Sequence, residues 1–190
     1  MGSQEQPPSA SSAPAPAESA PDLSAVDGAW EFVRRWIAGL TDDQVHDSSR
    51  LPGWTRGHVL THFARSADGV RGCAESAARG EPAVQYPHGL DGRERDIAAG
   101  SGRPAAELVA DVASAHTRLM AVWRSLAPDA WSVVAEVPSG RRSIAELVPV
   151  RRRELLVHLV DLDLGVESSD LPRDYLDADA GWLAEFRPDW

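Results

Sequence analysis

The sequence predicts an all-α protein, a four-helix bundle with a long loop between the second and third helices and an extra C-terminal helix. Three segments carry apolar residues at intervals of three and four positions, which is the period of an amphipathic α-helix. A fourth segment begins with a capping box, Ser143-x-x-Glu146, and is followed by Gly165, a residue type common just after a helix. The 190 residues are enough for one domain with a hydrophobic core.

The composition argues against several classes of protein. The formal net charge is −10, all 19 basic residues are arginine, and no basic stripe is visible, so we expect no nucleic-acid partner. We expect no membrane contact, because no apolar run approaches the length that spans a bilayer and no segment resembles a secretory signal. The one cysteine, Cys73, excludes an internal disulfide, fits a reducing cytoplasm and is predicted to be a buried filler rather than a nucleophile.

The apolar pattern places the helices in order along the chain. Residues 1–21 are rich in proline, alanine and serine and are predicted to form a disordered tail, which leaves residues 22–190 for the domain. A turn at Leu51-Pro52-Gly53 precedes the second helix, Thr55 caps it, and Pro104 suits the first turn of the third. The first three helices are predicted over residues 23–40, 55–79 and 104–126, and a last helix is predicted after Pro172.

Residues 80–103 contain several glycines and charges and are predicted to form the long loop. A connection of this length in a compact domain is uncommon and is often functional or mobile. Arg93 and Arg95 are its candidate functional residues, because a guanidinium binds a carboxylate through two parallel hydrogen bonds. The alternative is a solvated loop whose charges have no function.

In the fourth helix, Glu154 and His158 are four residues apart and therefore lie on one face. That face is otherwise apolar, and burying an unpaired carboxylate is costly, so a divalent metal bound by both side chains is one explanation. The alternative is an ordinary hydrogen-bonded pair on a solvated face. Pro149 lies about one turn before Glu154, so the helix could begin there rather than at Ser143.

Two histidines of the second helix, His58 and His62, are also four residues apart and lie beside its apolar stripe. Either could supply the third ligand that a site built on Glu154 and His158 would need. The alternative is that both are ordinary histidines at a helix contact, satisfied by hydrogen bonds.

Two segments, LPGWTRGHVLTH at residues 51–62 and RELLVHLVDL at residues 153–162, are together distinctive. They resemble the N-terminal metal-binding domain of mycothiol-dependent maleylpyruvate isomerases, which belongs to the DinB-like superfamily of four-helix bundles. The resemblance implies that His62, Glu154 and His158 bind the metal, while His58 is structural or supports a ligand. It also lets Asp161 accept a hydrogen bond from the second nitrogen of His158.

The resemblance implies an enzyme with zinc, or another divalent metal, and mycothiol as cofactors. Two imidazoles and a carboxylate leave a coordination position open for a thiol, and zinc deprotonates a bound thiol. The thiolate would add to an electrophilic small molecule, either in cis–trans isomerisation of maleylpyruvate or in S-transfer to another electrophile. The lysine-free composition is typical of a GC-rich actinobacterial genome and suits mycothiol.

Substrate carboxylates in such a reaction need cations, and Arg93, Arg95 and Arg152 are the candidate catalytic residues by position alone. Two-domain members of the family carry a further C-terminal domain, so isomerase and S-transferase both stay open. Two further alternatives are a non-catalytic helical binding module that retains the fold and a metal-dependent hydrolase. We expect a monomer or a homodimer.

Overall fold

In a computed structural model, the described residues 20–190 form a helical bundle with a small sheet at its side. Residues 1–19, most of the predicted tail, lie outside the described part of the chain. The helices are α1 (Ser24–Ile37), α2 (Asp42–His46), α3 (Arg56–Ala78), α4 (Gly89–Gly100), α5 (Ala105–Ser125), α6 (Leu147–Asp161), α7 (Arg173–Ala178) and α8 (Ala180–Phe186). The strands are β1 (Ala83–Val84), β2 (Val134–Val137) and β3 (Gly140–Ser143), and 3₁₀ turns cover Pro128–Ser132 and Ser168–Asp170.

The prediction of an all-α four-helix bundle is confirmed. The long helices α1, α3, α5 and α6 form the bundle, in which α3 packs along α5 and α1 packs along α6. In α1 the side chains that the 3.6-residue period assigns to the core are buried, whereas Trp36, from the same predicted stripe, is exposed. No helix within residues 20–190 is both long and apolar enough to cross a membrane.

The second predicted helix is α3, and its start is fixed by local chemistry. Pro52 and Gly53, with a φ of 78° at the glycine, form a tight turn in which the Trp54 N–H donates to the Leu51 carbonyl at 3.1 Å. Thr55 then caps α3, as predicted, in a capping box with His58. The turn therefore places Trp54 directly before Thr55, at the start of α3.

The connection between α3 and α5 differs from the predicted loop, because it contains β1 and the twelve-residue helix α4. Its glycines suggested breaks in the chain, but two of them are points of close packing. A Cβ on Gly100 would lie 2.7 Å from the Thr61 side chain of α3, and one on Gly92 would lie 2.6 Å from His88. Glycine thus allows α4 to lie directly against α3, over the part of the bundle that carries His62.

The small sheet also covers this side of the bundle. β1 pairs with β2 in parallel, with Ala83 opposite Ala135, and β2 pairs with β3 in an antiparallel hairpin. β2 covers Val134–Val137, in the connection between α5 and α6. The hairpin turn at Pro138 and Ser139 projects towards α6.

α6 begins at Leu147, four residues after Ser143. Ser143 and Glu146 do exchange the two hydrogen bonds of a capping box, at 2.7 and 3.2 Å, but these bonds close a turn that precedes the helix. Pro149 lies in the first turn of α6, where its missing N–H has no partner to lose. The helix ends at Asp161, and the single predicted C-terminal helix is two short helices, α7 and α8.

We predict that Gly57→Ala destabilises the fold by about 1–3 kcal/mol or more, because the added methyl group would meet buried backbone. A Cβ at this position of α3 would lie 2.1 Å from the Ser101 carbonyl oxygen. Gly72→Ala is the matched control in the same helix, since nothing lies within 4 Å of its Cβ, and it should stabilise the fold by about 0.5–1 kcal/mol. Urea unfolding measures both changes, and effects of the same sign would contradict the close packing at Gly57.

Candidate metal centre

α3 and α6 bring three potential metal ligands together in the interior of the bundle. His62, from α3, is 3% exposed, and its Nε2 lies 2.9 Å from Oε2 of Glu154 on α6. His158, one turn further along α6, places its Nε2 3.7 Å from the same oxygen. One ligand atom from each residue lies within 4.8 Å of the other two. This separation allows a single ion to bind all three side chains.

The alignment of α3 with α6 is fixed at one end by Arg56. Its guanidinium donates to the Leu162 and Asp163 carbonyl oxygens, each at 2.8 Å, just beyond the end of α6. These carbonyls lack partners within the helix, and a cation near them also interacts favourably with the helix dipole. The Arg50 N–H donates to the Asp161 carbonyl at 2.8 Å, so the chain before α3 holds the same helix end.

His58 lies outside the three-residue group. Its Nδ1 is 2.8 Å from the Thr55 hydroxyl and 3.2 Å from the Thr55 amide nitrogen, so it completes the cap of α3. Its ring also stacks on Trp54 with centroids 6.1 Å apart. Of the two candidate histidines, His62 is therefore the one that faces Glu154, and His58 has a structural role at the helix start.

His62 is held in its neutral form. Burial lowers the pKa of His62 to about 4, despite the hydrogen bond to Glu154 that favours a charged ring. Its Nδ1 lies 3.0 Å from Nη2 of Arg93, which can only donate, so the ring proton is on Nε2 and is donated to Glu154. To bind a metal through Nε2, His62 must carry its proton on Nδ1, and Arg93 can then no longer donate to that nitrogen.

Glu154 is held as a carboxylate. Burial alone would raise the pKa of Glu154, but the hydrogen bond from His62 and the positive charges of nearby groups, including Arg151, keep this pKa well below its usual range. A neutral imidazole and an ionised carboxylate are the protonation states in which these side chains bind a metal. The donor set therefore fits a divalent ion such as zinc, which commonly binds nitrogen and oxygen ligands of this kind.

The orientation of His158 is set by a second carboxylate, as the sequence suggested. Asp161 is 1% exposed, and its Oδ2 accepts a hydrogen bond from His158 Nδ1 at 2.8 Å. Arg187, just after α8, donates to both oxygens of Asp161 at 3.0 and 2.7 Å. His158 therefore directs Nδ1 to Asp161, and its Nε2 faces Glu154. No local pattern in the sequence pointed to Arg187.

A pocket of about 370 Å³ opens beside the three ligands, between α3, α4, α6 and the β2–β3 turn. Arg93 lies at its wall, with its guanidinium 5.8 Å from the ring centres of both Trp54 and Tyr86. This distance is typical of cation–π contacts. The pocket gives a small molecule access to the centre, and its lining residues include His62, Glu154, His158, Tyr86, Arg93 and Arg151.

Two of the three arginines predicted by position lie away from this pocket. Arg95 is exposed, because it is two residues from Arg93 and faces almost the opposite side of α4. Arg152 pairs with Asp174 at 2.6 Å and lies over the Tyr175 ring, so it faces the C-terminal helices. The structure therefore places Arg93 at the pocket and places Arg95 and Arg152 outside its lining.

Arg151, which the sequence analysis did not select, does line the pocket and is fully buried. It lies three residues before Glu154 and seven before His158, so the helical period puts all three on one face of α6. That spacing was visible in the sequence, but three consecutive arginines obscured which one faces inward.

Cys73 is buried, and burial raises the pKa of its thiol to about 11. It is therefore protonated at neutral pH and does not line the pocket. A thiol that reacts at the centre must come from a bound molecule.

These features define a helical-bundle protein with a candidate centre of two histidines and one glutamate. A sequence model of the family described as "Mycothiol maleylpyruvate isomerase N-terminal domain" matches residues 26–163. The chain therefore belongs to this family, which confirms the resemblance found in the sequence. No curated protein is significantly similar to the chain in sequence.

Two solved structures share the fold. One is a crystal structure of the mycothiol-dependent maleylpyruvate isomerase, with a TM-score of 0.79 and 26% sequence identity over 85% of this chain and 68% of that chain. The other is the same enzyme with one histidine replaced by alanine, and it gives the same values. The similarity covers the bundle that carries the candidate centre.

We predict that the metal-free protein loses stability as the pH falls from about 6.5 to about 4, in part because of His62. The unfolded chain takes up a proton on this residue near pH 6.5, whereas the folded protein does so only near pH 4, so acid favours unfolding. His62→Gln should make the urea stability less dependent on pH across this window. An unchanged pH dependence in this variant would show that His62 is not buried as a neutral ring.

Proposed function

We propose that the protein is a mycothiol-dependent enzyme that uses a divalent metal, zinc in the first instance, to activate a thiol for addition to an electrophilic small molecule. The observation that carries this proposal is the convergence of His62, Glu154 and His158 within 4.8 Å at the wall of a pocket. Bound there, a divalent ion would lower the pKa of a coordinated thiol and supply the thiolate nucleophile.

Residues of the chain set the charge and the orientation of the three candidate ligands. His62 is a neutral ring and Glu154 is a carboxylate, and His158 directs its Nε2 towards the same carboxylate oxygen. Three protein ligands leave room for a fourth ligand, which is the arrangement of catalytic rather than structural zinc sites. Asp161 and Arg187 hold His158 in the productive tautomer.

A bulky thiol such as mycothiol suits the space around the centre. A second pocket of about 340 Å³ adjoins the first and shares Gln85, Tyr86 and Arg93 with it. Asp96 and His88 line this second pocket and offer hydrogen-bonding groups of the kind that hydroxyl-rich ligands need. We place the thiol across both pockets, with its sulfur at the His–Glu–His group, in a cytoplasm that keeps thiols reduced.

Arg93 is the residue that we propose for contact with the electrophile. Its Nη2 lies 3.0 Å from His62 Nδ1, and its guanidinium lies 5.8 Å from the ring centres of Trp54 and Tyr86. Arg93 is also paired with Glu94, so we assign it a hydrogen bond to an oxygen of the electrophile rather than a second carboxylate-binding role. In cis–trans isomerisation the thiolate adds to a double bond, the single bond that results rotates, and elimination returns the thiol. In S-transfer the thioether is released as the product.

We predict that His62→Ala and Glu154→Ala each abolish tight zinc binding, because each removes one of three protein ligands. His58→Ala, the matched control on the same helix, should bind zinc normally and lose only about 1 kcal/mol of stability through its weakened cap. Competition with a chromogenic chelator measures the affinity. Loss of zinc binding in His58→Ala with retention in His62→Ala would overturn the assignment of the ligands.

We also predict that the zinc-loaded protein, incubated with mycothiol and a panel of α,β-unsaturated electrophiles, forms a thioether or an isomerised product faster than mycothiol alone. Mass spectrometry and NMR of the small molecules distinguish S-transfer from isomerisation. Glu154→Ala, treated in parallel, should show only the uncatalysed rate. Stoichiometric zinc with no rate enhancement for any electrophile would favour a non-catalytic binding module, and hydrolysis of the electrophile would favour a hydrolase.

A further inference from the structure

We propose that Arg151 forms the floor of a carboxylate-binding subsite next to the His62–Glu154–His158 centre. The role of this subsite in a reaction rests on the proposed function, whereas its ability to bind a carboxylate does not. The ligand class is a small molecule with a single carboxylate close to its reacting carbon.

The first observation is a buried arginine without a partner. Arg151 is 0% exposed, and none of its three guanidinium nitrogens donates a hydrogen bond to any residue in the described part of the chain. Burial lowers the pKa of Arg151 to about 10, so the group still carries its charge at neutral pH. A buried charge of this kind destabilises the fold unless an opposite charge and hydrogen bonds offset its desolvation.

The second observation is that the carboxylates nearest to Arg151 are committed to other groups. Glu154 contacts the nitrogens of His62 and His158. Asp68 accepts from Arg118 at 3.0 Å and lies 2.9 Å from Arg65. Neither of these two carboxylates forms a hydrogen bond with Arg151, which has no acceptor in the described part of the chain.

The third observation is the place of Arg151 in the pocket. It lines the same pocket as Glu154 and His158, one turn of α6 away from the carboxylate ligand. Because the guanidinium nitrogens have no exposed surface, a carboxylate reaches them when a side chain at the pocket wall shifts, and a molecule held there extends towards the centre. Tyr86 and Ser66 line the same pocket.

Charge balance favours one carboxylate over a phosphate dianion. A divalent ion, Glu154 and a thiolate together are neutral, and Arg93 is paired with Glu94. Arg151 is then the one excess positive charge of the pocket, and a single carboxylate neutralises it. Its planar guanidinium also matches a carboxylate in geometry, through two parallel hydrogen bonds.

The test uses propionate as the probe and propionamide, its uncharged analogue, as the control ligand. In the full-length protein, freed of metal with a chelator, propionate should shift the Nε–H NMR signal of Arg151 in a saturable way, and propionamide should not. Arg151→Met should weaken propionate binding by about tenfold or more, the loss typical of a charged hydrogen bond. Arg151→Lys, which keeps the charge but not the planar fork, should fall between the two.

Arg152→Met is the matched protein control, because the neighbouring arginine faces α7 and pairs with Asp174. This variant should bind propionate as the wild type does. Arg151→Met should also keep or raise the melting temperature, since it replaces a buried unpaired charge with an apolar side chain of similar length. Equal propionate affinity in the wild type and Arg151→Met, or no binding to either, overturns the proposal.

The experiments distinguish a failure of the carboxylate-binding subsite from a failure of the proposed function. Propionate binding that depends on Arg151 but is accompanied by neither thioether formation nor isomerisation supports the subsite and contradicts the proposed reaction. If thiol addition does occur, Arg151→Met should lower kcat/KM for acrylate by about tenfold and leave kcat/KM for acrylamide unchanged. An equal loss for both electrophiles contradicts the subsite while the reaction itself stands.

Discussion

The ionised carboxylate of Glu154, held between two imidazole rings, is the interaction on which the centre depends. A carboxylate that is only partly exposed to water needs partners from the protein, and here they come from two different helices. His62 supplies a hydrogen bond from α3, and His158 faces the same oxygen from the next turn of α6. The requirement to satisfy one charge therefore couples the rotation of α3 to that of α6.

The ends of the two helices make this coupling rigid. Arg56 binds the carbonyl oxygens just beyond α6, so the start of α3 cannot slide along its neighbour without losing charged hydrogen bonds. At the same end, Arg187 links the C-terminal residues to Asp161 and through it to His158. Segments that are distant in sequence thus hold one imidazole ring in place, which is a common way to preorganise a metal ligand.

Glu154 and Arg151 carry opposite charges on one face of α6, but only Glu154 has hydrogen-bond partners within the described part of the protein. Glu154 has its partners within the protein, whereas Arg151 is fully buried without a hydrogen-bond acceptor from the described residues. A core built for stability alone would be expected to place an apolar side chain at position 151. The retention of a buried cation beside a pocket is typical of sites in which binding is favoured over stability.

Local patterns in the sequence were sufficient to predict the long helices, the turn and cap before α3, and the shared helix face of Glu154 and His158. These features depend on residues within about four positions of one another, so the helical period and the capping chemistry specify them. The motif at residues 51–62 also led to the right family, but it did not by itself separate His62 from His58. The glycines of α4 were misleading, because close packing and chain breaks favour the same residue.

The sequence by itself therefore determined the bundle, its family and two residues of the centre. Only the tertiary structure decided that His62 faces Glu154, that Arg93 reaches the pocket while Arg95 and Arg152 do not, and that Arg151 is buried without a partner. Those choices depend on how α3, α4 and α6 approach one another. Contacts between residues that are tens of positions apart are set by packing across the bundle, and no local periodicity encodes them.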